Sequence, residues 1–172
     1  MSTHVRAFAS VETPVDRAAV PGFVESDFNP MVHDVASACL AGQDFDGDRL
    51  AVVLASLMGD ATTTDLASTL LAAGQVHNPL LFMQATANSI LGYVSREFDI
   101  TGPLISLSST DHELFAVADL VLTDPDLDAV LTISVELSPN PRTAQAYRML
   151  GASPPERDVA TAFLLERATE DM

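Results

Sequence analysis

The sequence contains no lysine. Its eight basic residues are all arginine and face 24 acidic ones, giving a formal net charge of −16. A chain so poor in positive charge has no basic surface for nucleic-acid phosphates or for an anionic membrane. Acidic proteins can still meet acidic partners through a local arginine patch, so the sum says little about protein partners. Cys39 is the single cysteine, which excludes an intrachain disulfide and a thiolate metal cage. No apolar run reaches the roughly eighteen residues of a membrane span. The start, MSTHVRAFASVETPVDR, lacks a basic segment followed by an apolar one, so no secretory signal is expected. Together these absences predict a cytoplasmic protein that needs no cofactor or metal.

What is present is apolar. Hydrophobic residues make up 48% of the 172 positions, and the mean hydropathy is +0.24. That length suffices for one domain with a full core. The apolar excess predicts that one face is covered by a partner.

Residues 4–11 alternate partly and predict a first strand, closed by Glu12-Thr13-Pro14. Residues 14–30 hold Pro14, Pro21, Gly22 and Pro30 and read as a loop. Asn29 as N-cap and Pro30 in the first turn predict a helix over about 30–41, ended by Gly42. Asp44-Phe45-Asp46-Gly47-Asp48 has the look of a cation loop, but its glycine is misplaced and Ala55 stands where an EF-hand needs glutamate. It reads as a solvated turn. The run 50–57, LAVVLASL, predicts a buried parallel strand. Thr62 with Asp65 resembles a capping box for a helix to about Ala73, with Gly74 as C′. A turn at Asn78-Pro79 and a helix over 83–97 follow.

The stretch Gly102–Leu122 then joins a Gly-Pro turn, an apolar strand over 104–107, a polar corner Ser108-Ser109-Thr110-Asp111, and a helix over 111–122 that is apolar almost all round. A helix of that kind is expected to be buried on every side. Strand 128–137, a Pro-rich segment 138–158 with a short helix at 143–150, and a last strand 159–167 complete the chain. Strands alternating with helices predict an α/β domain. Its sheet is expected to have five mostly parallel strands with helices on both faces, the last two strands pairing antiparallel. No internal repeat and no second domain boundary are visible over residues 1–172.

Four phrases suggest a family: AVVLASLMGD (51–60), NPLLFMQATANSILGYVSREFDITGP (78–103), DAVLTISVEL (128–137) and ATAFLLERATED (160–171). In their order they resemble the N-terminal half of a β-ketoacyl synthase, of the thiolase fold. The resemblance implies that the family's nucleophilic cysteine, at the start of the helix after the Gly-Pro strand, corresponds to Asp111. A carboxylate there cannot take the thiolate's part in acyl loading. The catalytic histidines of the family's second half correspond to no residue here. The chain therefore resembles the cysteine-less, chain-length-factor-like group. That group implies an acyl-carrier-dependent polyketide or fatty-acid system and a partner, either a ketosynthase or a similar half-length subunit. A homodimer is the other possible assembly, and an acyl carrier protein a further candidate partner. The resemblance also places the helix 111–122 between two sheets and makes the strand 104–109 an edge that pairs across a dimer two-fold.

Asp111 reads first as a first-turn residue that complements the helix dipole, with Thr110 and Glu113 at capping-box spacing. Its functional reading is a general base, which the dipole would keep ionised. The alternative reading is thus a dehydratase, isomerase or hydrolase that acts on carrier-bound chains through Asp111 or His112. Ser108 or Ser109 beside the Asp/His pair has the ingredients of a triad, but adjacent helical residues do not face each other. His33 and His77 show no metal-ligand spacing. Cys39 lies on an apolar helix stripe and reads as a buried thiol.

Overall fold

The computed structural model describes residues 3–12, 20–75, 78 and 80–167, with the backbone alone at 111. Five strands, β1 (Thr3–Glu12), β2 (Leu50–Ala55), β3 (Leu104–Leu107), β4 (Ala129–Glu136) and β5 (Val159–Arg167), form one sheet. Their order is β1-β5-β4-β2-β3. β2 pairs in parallel with β3 and with β4, while β5 pairs antiparallel with both β4 and β1. Only β5 runs against the other four, so the sheet is mostly but not purely parallel.

The continuous apolar runs at β2 and β4 follow from burial on both faces. Leu50, Val52 and Leu54 share one core with Leu131, Ile133 and Val135. Ala51, Val53 and Ala55 share the other with Val130. On the first face lie α1 (Phe28–Leu40) and α4 (Ala87–Glu97), which bury Phe28, Met31, Ile90 and Leu91. On the second face α5 (Asp111–Val121) packs over β2 and β4 through Leu114, Ala118 and Leu122. α2 (Ala61–Ala72) and α3 (Leu81–Gln84) precede α4, and α6 (Pro141–Leu150) lies between β4 and β5.

Several element ends depart from expectation, each for a local reason. α1 starts at Phe28, because Asn29 is buried and donates to the Asp60 carboxylate at 3.1 Å instead of capping. Asp60, not Thr62, caps α2 by accepting from the Thr63 N–H at 3.0 Å. The expected helix 83–97 is two helices, broken at Ala85-Thr86. α6 begins at Pro141, where Asn140 and Thr143 form a reciprocal capping box. Gly74 takes φ +68 as the C′ residue, as its position predicts.

Gly102 is fixed by close approach: a Cβ there would lie 2.2 Å from the Leu50 carbonyl oxygen. Its bare backbone lets the chain enter β3 tight against the start of β2. The turn at 44–48 runs into a short 3-10 helix, Gly47–Arg49, which the Asp46 side chain caps by accepting from the Asp48 N–H at 3.0 Å. No helix among the described residues is long and apolar enough to cross a membrane.

Candidate functional site

The parallel strands β2, β3 and β4 end on the same side of the sheet, which in α/β proteins is the side that binds ligands. β3 ends at Leu107, Ser108 and Ser109 form a bend, and Thr110 is the extended N-cap of α5. The Thr110 side chain makes no capping bond, so the expected box with Glu113 is not formed. The Ser108 hydroxyl donates to the Leu57 carbonyl at 3.3 Å. Ser109 is buried, and its Oγ has no hydrogen-bond partner among the described residues. Among the described residues neither hydroxyl is joined to His112, and no serine relay is assembled. Asp111 opens α5, and His112 is exposed one residue later.

Two clefts meet at this corner. The first, of about 600 Å³, is lined by Leu57, Thr110, His112, Glu136 and Tyr147, and by Ala152 to Pro155, Val159 and Thr161. The second, of about 610 Å³, runs beside β3 and α5 and is lined by Leu107, Ser108, Ser109, His112 and Val117. His112 borders both.

Two further residues give the first cleft its chemistry. Glu136 ends β4, and its carboxylate accepts the Leu57 N–H and, at 2.7 Å, the Tyr147 hydroxyl. Burial, and then the bond to Glu136, push the Tyr147 hydroxyl above its ordinary range. α6 is set to deliver Tyr147 by its capping box and by Asp65 of α2, which accepts from Asn140 at 2.8 Å and Arg142 at 2.7 Å. Gly151, at φ +65, turns the chain out of α6 into the wall of the cleft. Nothing in the spacing of Glu136 and Tyr147 marked them beforehand. The available signal was a lone carboxylate closing an apolar strand, where burial demands donors.

The other histidines stand apart or outside. His33 of α1 bonds Glu97 of α4 at 2.8 Å, and Tyr93 meets its ring edge-on. It ties two helices together on the far face of the sheet. His77 lies outside the described residues. Cys39 is buried, which raises its thiol pKa, as a core cysteine requires. No group of three or more His, Cys, Asp or Glu able to hold a metal occurs among the described residues.

No family model and no curated protein matches the chain. Solved structures do. A ketosynthase (ApeO) in complex with its chain length factor (ApeC) from Xenorhabdus doucetiae superposes with a TM-score of 0.72 at 16% identity, over 98% of this chain and 80% of that one. The chain has the thiolase-like fold of the ketosynthases. A complex of a type II polyketide synthase acyl-carrier protein with its ketosynthase, AntDE:AntF, gives 0.71 at 12% identity, over 95% of this chain and 57% of that one. The ishigamide ketosynthase/chain length factor gives 0.65 at 14% identity, over 98% and 63%. At these identities the ketosynthase likeness is one of fold. In the second and third comparisons this chain spans less than two thirds of the length of the ketosynthase-fold chain it matches.

Proposed function

We propose that this chain is a non-condensing, ketosynthase-like subunit that associates with a partner ketosynthase or half-length subunit in acyl-carrier-dependent polyketide or fatty-acid biosynthesis. The observation that carries this reading is the residue that opens α5. The helix after β3 begins with Asp111, the position that the sequence resemblance pairs with the condensing cysteine. The one cysteine of the chain is buried in α1. A carboxylate at this helix start forms no acyl thioester, so the chain's part is to complete or shape an acyl site in another subunit.

Two surfaces support association. The side of α5 turned from the sheet is open, with Leu120 68% exposed, although the resemblance places this helix between two sheets. β3 is an edge strand, hydrogen-bonded only to β2 among the described residues, and Leu104 on it is exposed. An unpaired apolar edge is a template for another strand. A homodimer would cover the same surfaces.

The test is purification of the tagged chain from its native cells. A ketosynthase co-eluting in fixed stoichiometry is the expected result. A stable homodimer in light scattering that ignores added ketosynthase would sink the heteromer. A second reading is favoured by His112, which borders both clefts. In it the Asp111/His112 pair moves protons in dehydration, isomerisation or hydrolysis of carrier-bound chains. Asp111→Ala separates the two: loss of product with assembly intact supports catalysis, and unchanged product chains remove it.

A further inference from the structure

The first cleft has an unusual balance of chemistry. Its volume of about 600 Å³ falls in the range of roughly 300–1,000 Å³ typical of small-molecule sites. Leu57, Ala152, Pro154, Pro155 and Val159 give it apolar walls. Into these is set, among the described residues, one carboxylate, Glu136, which accepts the Leu57 N–H on one oxygen and the Tyr147 hydroxyl on the other. No arginine lines it among the described residues, and His112 is the one other titratable side chain beside that pair. Arg142, which comes near through α6, is engaged by Asp65.

An anionic headgroup entering this cleft meets a carboxylate and no guanidinium, so it is repelled. A hydroxyl meets the opposite situation. A carboxylate offers about four lone-pair directions, and an O–H that donates to it makes a charge-assisted bond. We infer that the strand-end cleft binds an uncharged aliphatic molecule bearing a hydroxyl group, selected by the Glu136–Tyr147 pair against the corresponding carboxylate. The described lining belongs to this chain alone. The inference therefore goes beyond the partner reading and is tested without a partner.

The experiment titrates the ¹⁵N-labelled chain at pH 7.5 with 1-octanol, octanoate and methyl octanoate, following amide shifts. 1-Octanol is expected to move Leu57, Ala152 and Val159 saturably. Octanoate should need at least roughly tenfold more ligand, the factor that one charge-assisted hydrogen bond supplies. Methyl octanoate, which accepts but does not donate, should fall between the two. Glu136→Gln should narrow the octanol-to-octanoate ratio to within about threefold, since the amide removes the charge that sets it. Ala152→Trp, which fills the cleft, should abolish the saturable shifts. Equal binding of octanoate and octanol by the unsubstituted chain overturns the inference. So does the absence of saturable shifts, or their appearance around Leu120 and Phe8 instead. The comparison on the unsubstituted chain decides even if a variant fails to fold. Octanol selectivity in a chain that captures no ketosynthase would count against the partner reading alone.

Discussion

The two faces of the sheet are built differently. On one, α1 and α4 lie side by side, and Phe28, Met31, Val32, Ile90 and Val94 are sealed against alternate residues of β2, β4 and β5. On the other, α5 lies alone over β2 and β4. There Phe115 and Phe163 meet at 5.3 Å and Phe163 and Phe8 at 4.7 Å, yet Phe8 stays 57% exposed. The same sheet thus has one face that finishes its own burial and one that does not. Burial is concentrated on the first face, and the second leaves Phe8 and Leu120 exposed. Apolar residues left at a surface in this way mark an interaction site.

The sharpest way to break this contrast is to hollow out each face in turn. Phe28→Ala on the closed face should cost about 3–5 kcal/mol in urea unfolding, the usual loss for a buried phenylalanine. An effect below about 1 kcal/mol would show that face to be less tightly packed than its burial implies. Gly102→Ala should cost about 1–3 kcal/mol by driving a Cβ against the Leu50 carbonyl. Hydrogen exchange should then show β3 fraying from β2 before any other strand pair opens. Leu120→Glu on the open face should change the isolated chain by no more than about 0.5 kcal/mol, as surface substitutions do. If a partner covers α5, the same variant should lose that partner in a pull-down.

The smallest effect is one of pH. Tyr147 in the folded chain ionises above its ordinary value near 10. A group whose folded pKa is raised gives stability that is complete below its unfolded pKa and lost as the pH rises. Thermal stability should therefore fall as the pH climbs past about 10. Tyr147→Phe, less stable at neutral pH for want of the bond to Glu136, should show a shallower alkaline fall. Parallel curves for the two proteins would mean that the pair contributes nothing to the cleft wall.

Strands were the most legible part of the sequence, because burial on both faces writes long apolar runs. β5 has the bounds its residues predict, and β2 and β4 differ only at their ends. Helix starts were harder, because capping depends on partners distant in sequence. Asn29 has the chemistry of a cap but is drawn to Asp60, which caps a different helix. The break at Ala85-Thr86 is invisible to periodicity, since both sides carry small residues. At the site, the corner 108–111 was legible as strand, bend and helix start. Glu136 and Tyr147 were not, because the fold alone brings the end of β4 to α6 and to the segment after β2. His112 was recognised by type, and its place between two clefts belongs to the tertiary structure.

The pairing of β1 has a kinetic consequence. Among the described residues the only strand that β1 pairs with is β5, with Thr3 opposite Arg167 and Glu12 opposite Val159. During synthesis β1 leaves the ribosome well before β5 and must wait for it before its backbone has a strand to pair with. Closing so long a loop is entropically slow, and the interval leaves an unpaired strand exposed to other chains. A circular permutant that moves residues 3–12 to follow β5 through a short hairpin turn would keep every hydrogen bond of the sheet and remove the wait. Its refolding should outpace that of the natural order while its equilibrium stability changes little.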